Sequence, residues 1–146
     1  MSIKPDDAIP KVLAYITRIL HGDQQLLVFT HQDFPEAGLQ VPAGTVHVGE
    51  PLVEALLREV REEAGLSRFV KTEKLIEYLW WCAPRHEWHH RHVFHLSVTD
   101  APDYWHHAVT SFDSDAGMVF QYHWVSLAAV PTLAGRQDEW LRLLRP

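Results

Sequence analysis

Three glutamates, Glu59, Glu62 and Glu63, stand at i, i+3 and i+4 directly beside Arg58. On an α-helix, at 100° per residue, this spacing gathers all three carboxylates into one arc. Two such charges ~5 Å apart in a cleft of effective dielectric ~20 repel by roughly 3 kcal/mol, so a cleft requires a counter-ion. An all-oxygen donor set selects a hard divalent cation, Mg2+ or Mn2+, of the kind that keeps several waters and also takes substrate phosphates. The bland alternative is a solvated acidic face, where the repulsion costs only a few tenths of a kcal/mol per pair. Arg58 is an i, i+4 neighbour of both Glu54 and Glu62. It reads as a brace that holds carboxylates in place rather than as a substrate contact.

The element that must carry these residues is legible at both ends. Pro51 suits the first position of a helix, having a fixed φ and no donor to waste, and Gly65 suits the position just past the last turn. Between them lie about four turns. Val53, Leu57, Val60 and Ala64 form an apolar stripe roughly opposite the glutamates, and this is the expected core face. Leu52, Ala55 and Leu56 extend the glutamate side toward the N-terminus. The first half of the helix is therefore expected to be covered on both sides, and the second half to open into a site. Gly44, in the loop before the helix, lets the backbone approach a ligand closely.

The whole window over residues 44–66 fits the pattern G-x5-E-x7-R-E-U-x-E-E-x-G-U, with U aliphatic. Gly44, Glu50, Arg58, Glu59, Glu62, Glu63 and Gly65 fill the fixed positions, and Val60 and Leu66 the aliphatic ones. This window resembles the Nudix box, and through it the chain resembles the Nudix hydrolases. The resemblance implies an α/β/α sandwich around a mixed, partly antiparallel β-sheet. It implies a metal-dependent pyrophosphohydrolase that cleaves a nucleoside diphosphate linked to another moiety: a nucleotide, a dinucleoside polyphosphate or a nucleotide sugar. The Gly44 carbonyl, Glu59 and Glu63 would be metal ligands, and Glu62 a further ligand or a water-positioning base. Arg58 would orient the box through Glu50. Many family members carry a glutamate before the Trp-containing strand near the C-terminus. Residues 113–124 contain none, and Asp113 and Asp115 are the nearest acids, equally readable as turn residues. The alternative from another class is a non-catalytic Nudix-fold module that binds or senses a nucleotide. The intact set of box glutamates favours the enzyme.

Five of the chain's 11 histidines fall within residues 86–95. His86, Glu87 and His90 match H-E-x-x-H, but that zinc motif needs a helix, and Pro84 precedes it while an alternating pattern follows. A strand would put His90 and His92 on one face with Phe94 and Leu96, and His89, Arg91 and His95 on the other. Arg85 and Arg91 are the natural phosphate clamps here. Trp80, Trp81, Trp88 and Trp105 could stack on a base, with Trp81 the chosen candidate, although most tryptophans serve packing.

A chain of 146 residues with 47% hydrophobic and 22% charged residues is expected to form a single domain over residues 1–146. A lone cysteine, Cys82, excludes an intrachain disulfide and a thiolate metal cluster. The N-terminal ten residues lack a secretory apolar stretch and no apolar run is long enough to span a bilayer, so a cytoplasmic location is the default. No basic patch marks a nucleic-acid binder. At net charge −6 the chain would repel a polyphosphate without cations. The expected partner is a small nucleotide-type molecule, and a homodimer stays an open option. Strands are expected at residues 11–20, 25–30, 39–41, 69–81, 91–99 and 119–125. Residues 101–115 read as an irregular loop and residues 137–144 as a C-terminal helix.

Overall fold

The computed structural model describes residues 5–111 and 116–144. Two long strands open it, β1 (Ile9–Leu20) and β2 (Asp23–His31). They form an antiparallel hairpin around His21 and Gly22. The run from Val12 to Ile16 is buried on both sides of β1. Each fully buried Val, Leu or Ile there contributes about 1.5–3 kcal/mol, which makes β1 the natural centre of the sheet. After it come β3 (Ala43–Thr45), the helix α1 (Leu52–Ala64), β4 (Lys71–Cys82), β5 (Glu87–Ser97), β6 (Tyr104–Ala108) and β7 (Val119–Ser126).

The seven strands run in the order β4-β5-β1-β2-β7-β6, with β3 added to β1. The β1–β5 pair is parallel and the others antiparallel. This is the mixed sheet that the box implies. Its two faces carry separate cores. One packs Val12, Ala14, Ile16, Phe29 and Phe94 against Ala55, Leu56, Val60 and Ala64 of α1. The other packs Leu13, Tyr15, Leu26, Val28 and Val93 against Leu133, Trp140, Leu141 and Leu144.

Four expectations are corrected. Among the described residues α1 is the one α-helix, and the C-terminal layer is built of turns and 3-10 segments at Ala134–Arg136 and Leu141–Leu143. Tyr15 Oη donates to the Gln137 carbonyl, the group an α-helix would offer to the Leu141 N–H, and that N–H bonds Asp138 instead. Residues 104–108 form a strand inside the expected loop. Residues 39–41 contribute a single bridge, Phe29 to Gln40, in place of a strand. The covered side of α1 runs through Ala55, Leu56, Glu59, Val60, Glu63 and Ala64, while Val53 is 46% exposed. Glu59 and Glu63 thus lie in the buried arc, not across from it. The H-E-x-x-H match is strand from Glu87 onward, the wrong context for a zinc helix.

Candidate active site

α1 starts after Pro51 and stops at Gly65, whose φ of 74° is the left-handed geometry of a helix stop. Glu59, Glu62 and Glu63 occupy its last two turns, where the helix dipole is negative and carboxylates are disfavoured. The last four carbonyls of a helix need outside partners, and here each has one. The Arg61 carbonyl accepts from Gly65 N–H at 3.0 Å and the Glu62 carbonyl from Thr110 N–H at 3.1 Å. His107 Nε2 adds a second bond to the Glu62 carbonyl at 3.0 Å. Tyr122 Oη donates to the Glu63 carbonyl at 2.9 Å and Trp105 Nε1 to the Ala64 carbonyl at 3.0 Å. Trp105 and Tyr122 stack with ring centroids 5.0 Å apart. Trp105, a candidate for base stacking, is therefore spent on the helix end.

Arg58 gathers the loop and the helix together. It forms a two-pronged pair with Glu50, Nε to Oε2 at 2.8 Å and Nη2 to Oε1 at 2.9 Å. Nη2 also donates to the Thr45 carbonyl at 2.9 Å. Nη1 reaches Glu59 at 2.9 Å and Glu62 at 3.2 Å. The Arg58 guanidinium, helped by the His47 N–H and opposed by burial, holds the Glu50 carboxyl at about 2. The Arg58 pKa is raised in turn, by Glu50 first, against a burial cost.

Glu59 and Glu63 are 4% and 5% exposed. The Glu63 carboxylate accepts from the Ala43 N–H at 3.0 Å. A Cβ on Gly44 would fall on the Glu59 carboxylate, so the glycine makes room for an acid as well as for any ligand. Both glutamates open with Gly44 onto a cavity of about 530 Å3, whose wall also includes Lys11, Trp80, Arg85, His89, Arg91 and Gln137. Three fixed cations thus face two carboxylates inside a chain that is acidic overall. Lys11 Nζ donates to Thr45 Oγ1 at 2.7 Å. Burial, then Arg85, lowers the Lys11 pKa, against the pull of Glu87 and Glu59. Arg91 lies 3.8 Å from the Trp80 ring and donates to the Gly135 carbonyl at 2.7 Å and to Tyr78 Oη at 3.2 Å. Burial, then Lys11, lowers the pKa of His89, with Glu87 opposing.

The NUDIX domain model matches residues 10–144. The chain belongs to the Nudix family. Solved Nudix structures share its fold. The NUDIX domain of Shewanella oneidensis NrtR, complexed with ADP ribose, is 15% identical, with a TM-score of 0.69 over 93% of this chain and 85% of that one. The C. elegans Ap4A hydrolase is 19% identical, with a TM-score of 0.62 over 94% of each chain. A Nudix hydrolase from Nitrosomonas europaea is 28% identical, with a TM-score of 0.58 over 83% of this chain and 74% of that one. No curated protein matches the sequence.

Within this Nudix domain the sequence candidates divide. Gly44, Glu59, Glu63, Arg85 and Arg91 line the cavity, while Glu50, Arg58 and Glu62 sit behind it in the guanidinium network. Trp80 lines the cavity in place of its neighbour Trp81, which stacks edge-on against Trp88 with centroids 5.3 Å apart. Of the two histidine faces, the one with His89 and Arg91 looks into the site. Asp113 and Asp115 lie outside the described residues. Lys11 and Gln137 were missed. Lys11 sits among apolar residues and Gln137 among charged ones, with no local signal at either, and only the pairing of β1 with β3 and the fold-back of the C-terminal segment bring them to the box.

Proposed function

We propose that this Nudix domain, acting as one catalytic unit, hydrolyses the pyrophosphate bridge of a nucleoside diphosphate linked to another moiety, with Mg2+ or Mn2+ as cofactor. The reading is carried by one observation: the two buried box carboxylates share a single cavity with Gly44, Lys11, Arg85 and Arg91. The donor set fits a hard divalent ion, because two carboxylates and a backbone carbonyl opening on one cavity offer an all-oxygen shell. Glu59, Glu63 and the Gly44 carbonyl would hold it. When bound, such an ion polarises phosphoryl oxygens and lowers the pKa of the attacking water.

The remaining steps belong to the chain's own residues. Lys11 and Arg85 bind the bridge phosphates by charge-assisted hydrogen bonds. Trp80, backed by Arg91, offers an aromatic wall at the cavity surface. Arg58 positions Glu59 and Glu62 through the Glu50 pair, so the carboxylates keep their geometry before substrate arrives. Phosphate or nucleotide release from a panel of nucleoside diphosphate derivatives, measured with and without Mg2+, tests the proposal. Metal-dependent turnover that falls in Glu63→Gln by roughly 10²–10³-fold is expected, the loss typical of one preorganised electrostatic group. Near-wild-type turnover in that variant would sink the ligand assignment. Tight nucleotide binding without turnover of any substrate would replace the enzyme with a binding module.

A further inference from the structure

A second group of metal-ligating side chains lies outside the hydrolase cavity. Strand alternation sends His89 and Arg91 of β5 into the cavity and turns His90 and His92 to the opposite face. The antiparallel register places Glu77 of β4 directly across from His92. Glu77, His90 and His92 do not line the cavity that holds Glu59 and Glu63. Glu77 Oε2 lies 2.7 Å from His90 Nε2 and 3.8 Å from His92 Nδ1. The two imidazole centroids are 4.2 Å apart. One ligand atom from each of the three residues falls within 4.8 Å of the others.

We propose that Glu77, His90 and His92 bind a zinc ion, two imidazoles and one carboxylate completing a tetrahedron with water. Imidazole nitrogen with a single carboxylate suits Zn2+ far better than Mg2+, which prefers all-oxygen shells. Ligand atoms around tetrahedral zinc stand ~3.3 Å apart at the usual ~2.0–2.1 Å bond lengths. The two Glu77 distances, 2.7 and 3.8 Å, lie on either side of that value. Lys74 Nζ donates to the other carboxylate oxygen, Oε1, at 3.0 Å. That bond fixes the Glu77 side chain with Oε2 toward the histidines, as outer partners of metal-ligating carboxylates do. A plain ion pair accounts for Glu77 with His90. His92, 8% exposed, brings a second imidazole nitrogen to 3.8 Å from the same oxygen, so that two imidazoles converge on one carboxylate. Glu77, 48% exposed, leaves the ion an entry path from solvent. The site would clamp β4, an edge strand of the sheet, onto β5.

The test uses tag-free full-length protein, stripped of metal and then titrated with Zn2+ against a chromophoric chelator. Excess Mg2+ occupies the box carboxylates throughout. One Zn2+ per chain is expected, unchanged in Glu63→Gln, weakened about tenfold or more in Glu77→Gln and lost in the His90→Gln/His92→Gln double variant. Co2+ in place of Zn2+ should give the intense visible absorption of a four-coordinate ion in the wild type and lose it in Glu77→Gln. Should the double variant fail to fold, Glu77→Gln and His90→Gln, both at less buried positions, decide the matter. Absence of stoichiometric Zn2+ uptake at micromolar metal would overturn the site, as would equal uptake by wild type and these variants.

Discussion

Gly44 and Glu59 show how tightly single residues are bound to one another in this site. A Cβ at residue 44 would occupy the space of the Glu59 carboxylate. Gly44→Ala must therefore displace a carboxylate or the loop. A shift of about 1 Å at a reacting centre costs roughly 10²-fold, so kcat with Mg2+ is expected to fall by that order while circular dichroism stays native. Unchanged kcat would show that Glu59 does not need its present position. Glu50 supplies a pH signature. Its folded value of about 2 lies below the reference of 4.5. The stability it contributes is thus complete above pH 4.5 and is lost as pH falls from 4.5 toward 2. The urea midpoint should drop across that window, and Glu50→Gln should flatten that part of the profile. An identical profile in the variant would exclude Glu50 as its source.

At the scale of elements, β6 and β7 act as the socket of α1. Tyr122→Phe removes the donor to the Glu63 carbonyl and leaves a buried acceptor unmet, at a cost of about 1–3 kcal/mol. Urea unfolding should report that loss, together with a lower kcat, because the freed carbonyl belongs to a residue whose side chain lines the cavity. A loss of stability with no change in kcat would separate the socket from the site. α1 was legible because Pro51, Gly65 and the carboxylate spacing are local signals. β6 was not. Its inward residues, Trp105 and His107, and its outward ones, Tyr104 and His106, are equally polar-aromatic, so alternation left no hydropathy signal. The C-terminal segment carried a helical apolar pattern in Trp140, Leu141 and Leu144, but a distant tyrosine took the carbonyl that the helix needed. The buried arc of α1 was misplaced because carboxylates were assigned to an open cleft, whereas Glu59 and Glu63 are sunk against the β3 loop. Which strand face meets the site depended on the pairing of β5 with β1, a contact between segments far apart in the chain.

The whole molecule is acidic, with net charge −6, yet it gathers Lys11, Arg85 and Arg91 around one cavity. The box and the two arginines were legible in the sequence; Lys11, brought to the same cavity by β1, was not. Gln137 ties the distant parts together. Its side chain accepts from the Val41 N–H at 2.8 Å, its carbonyl accepts from Tyr15, and it lines the cavity. Gln137→Ala leaves the buried Val41 N–H unmet, and a loss of about 1–3 kcal/mol is expected. That corresponds to a fall in Tm of about 2–4 °C per kcal/mol for a chain of this size. A Tm within a degree of wild type would show that the C-terminal turns do not hold the sheet.

The Val41–Gln137 bond has a bearing on how the protein is made. A chain emerging from the ribosome at roughly 5–20 residues per second can pair β1 with β2 early. The parallel partner β5 and Gln137, which lines the cavity and bonds Val41, arrive only with the later part of the chain. A nascent chain therefore carries the complete acidic box for several seconds before the opposing wall can form. The full cavity lining is then a late event of synthesis, complete only once residue 137 has cleared the exit tunnel.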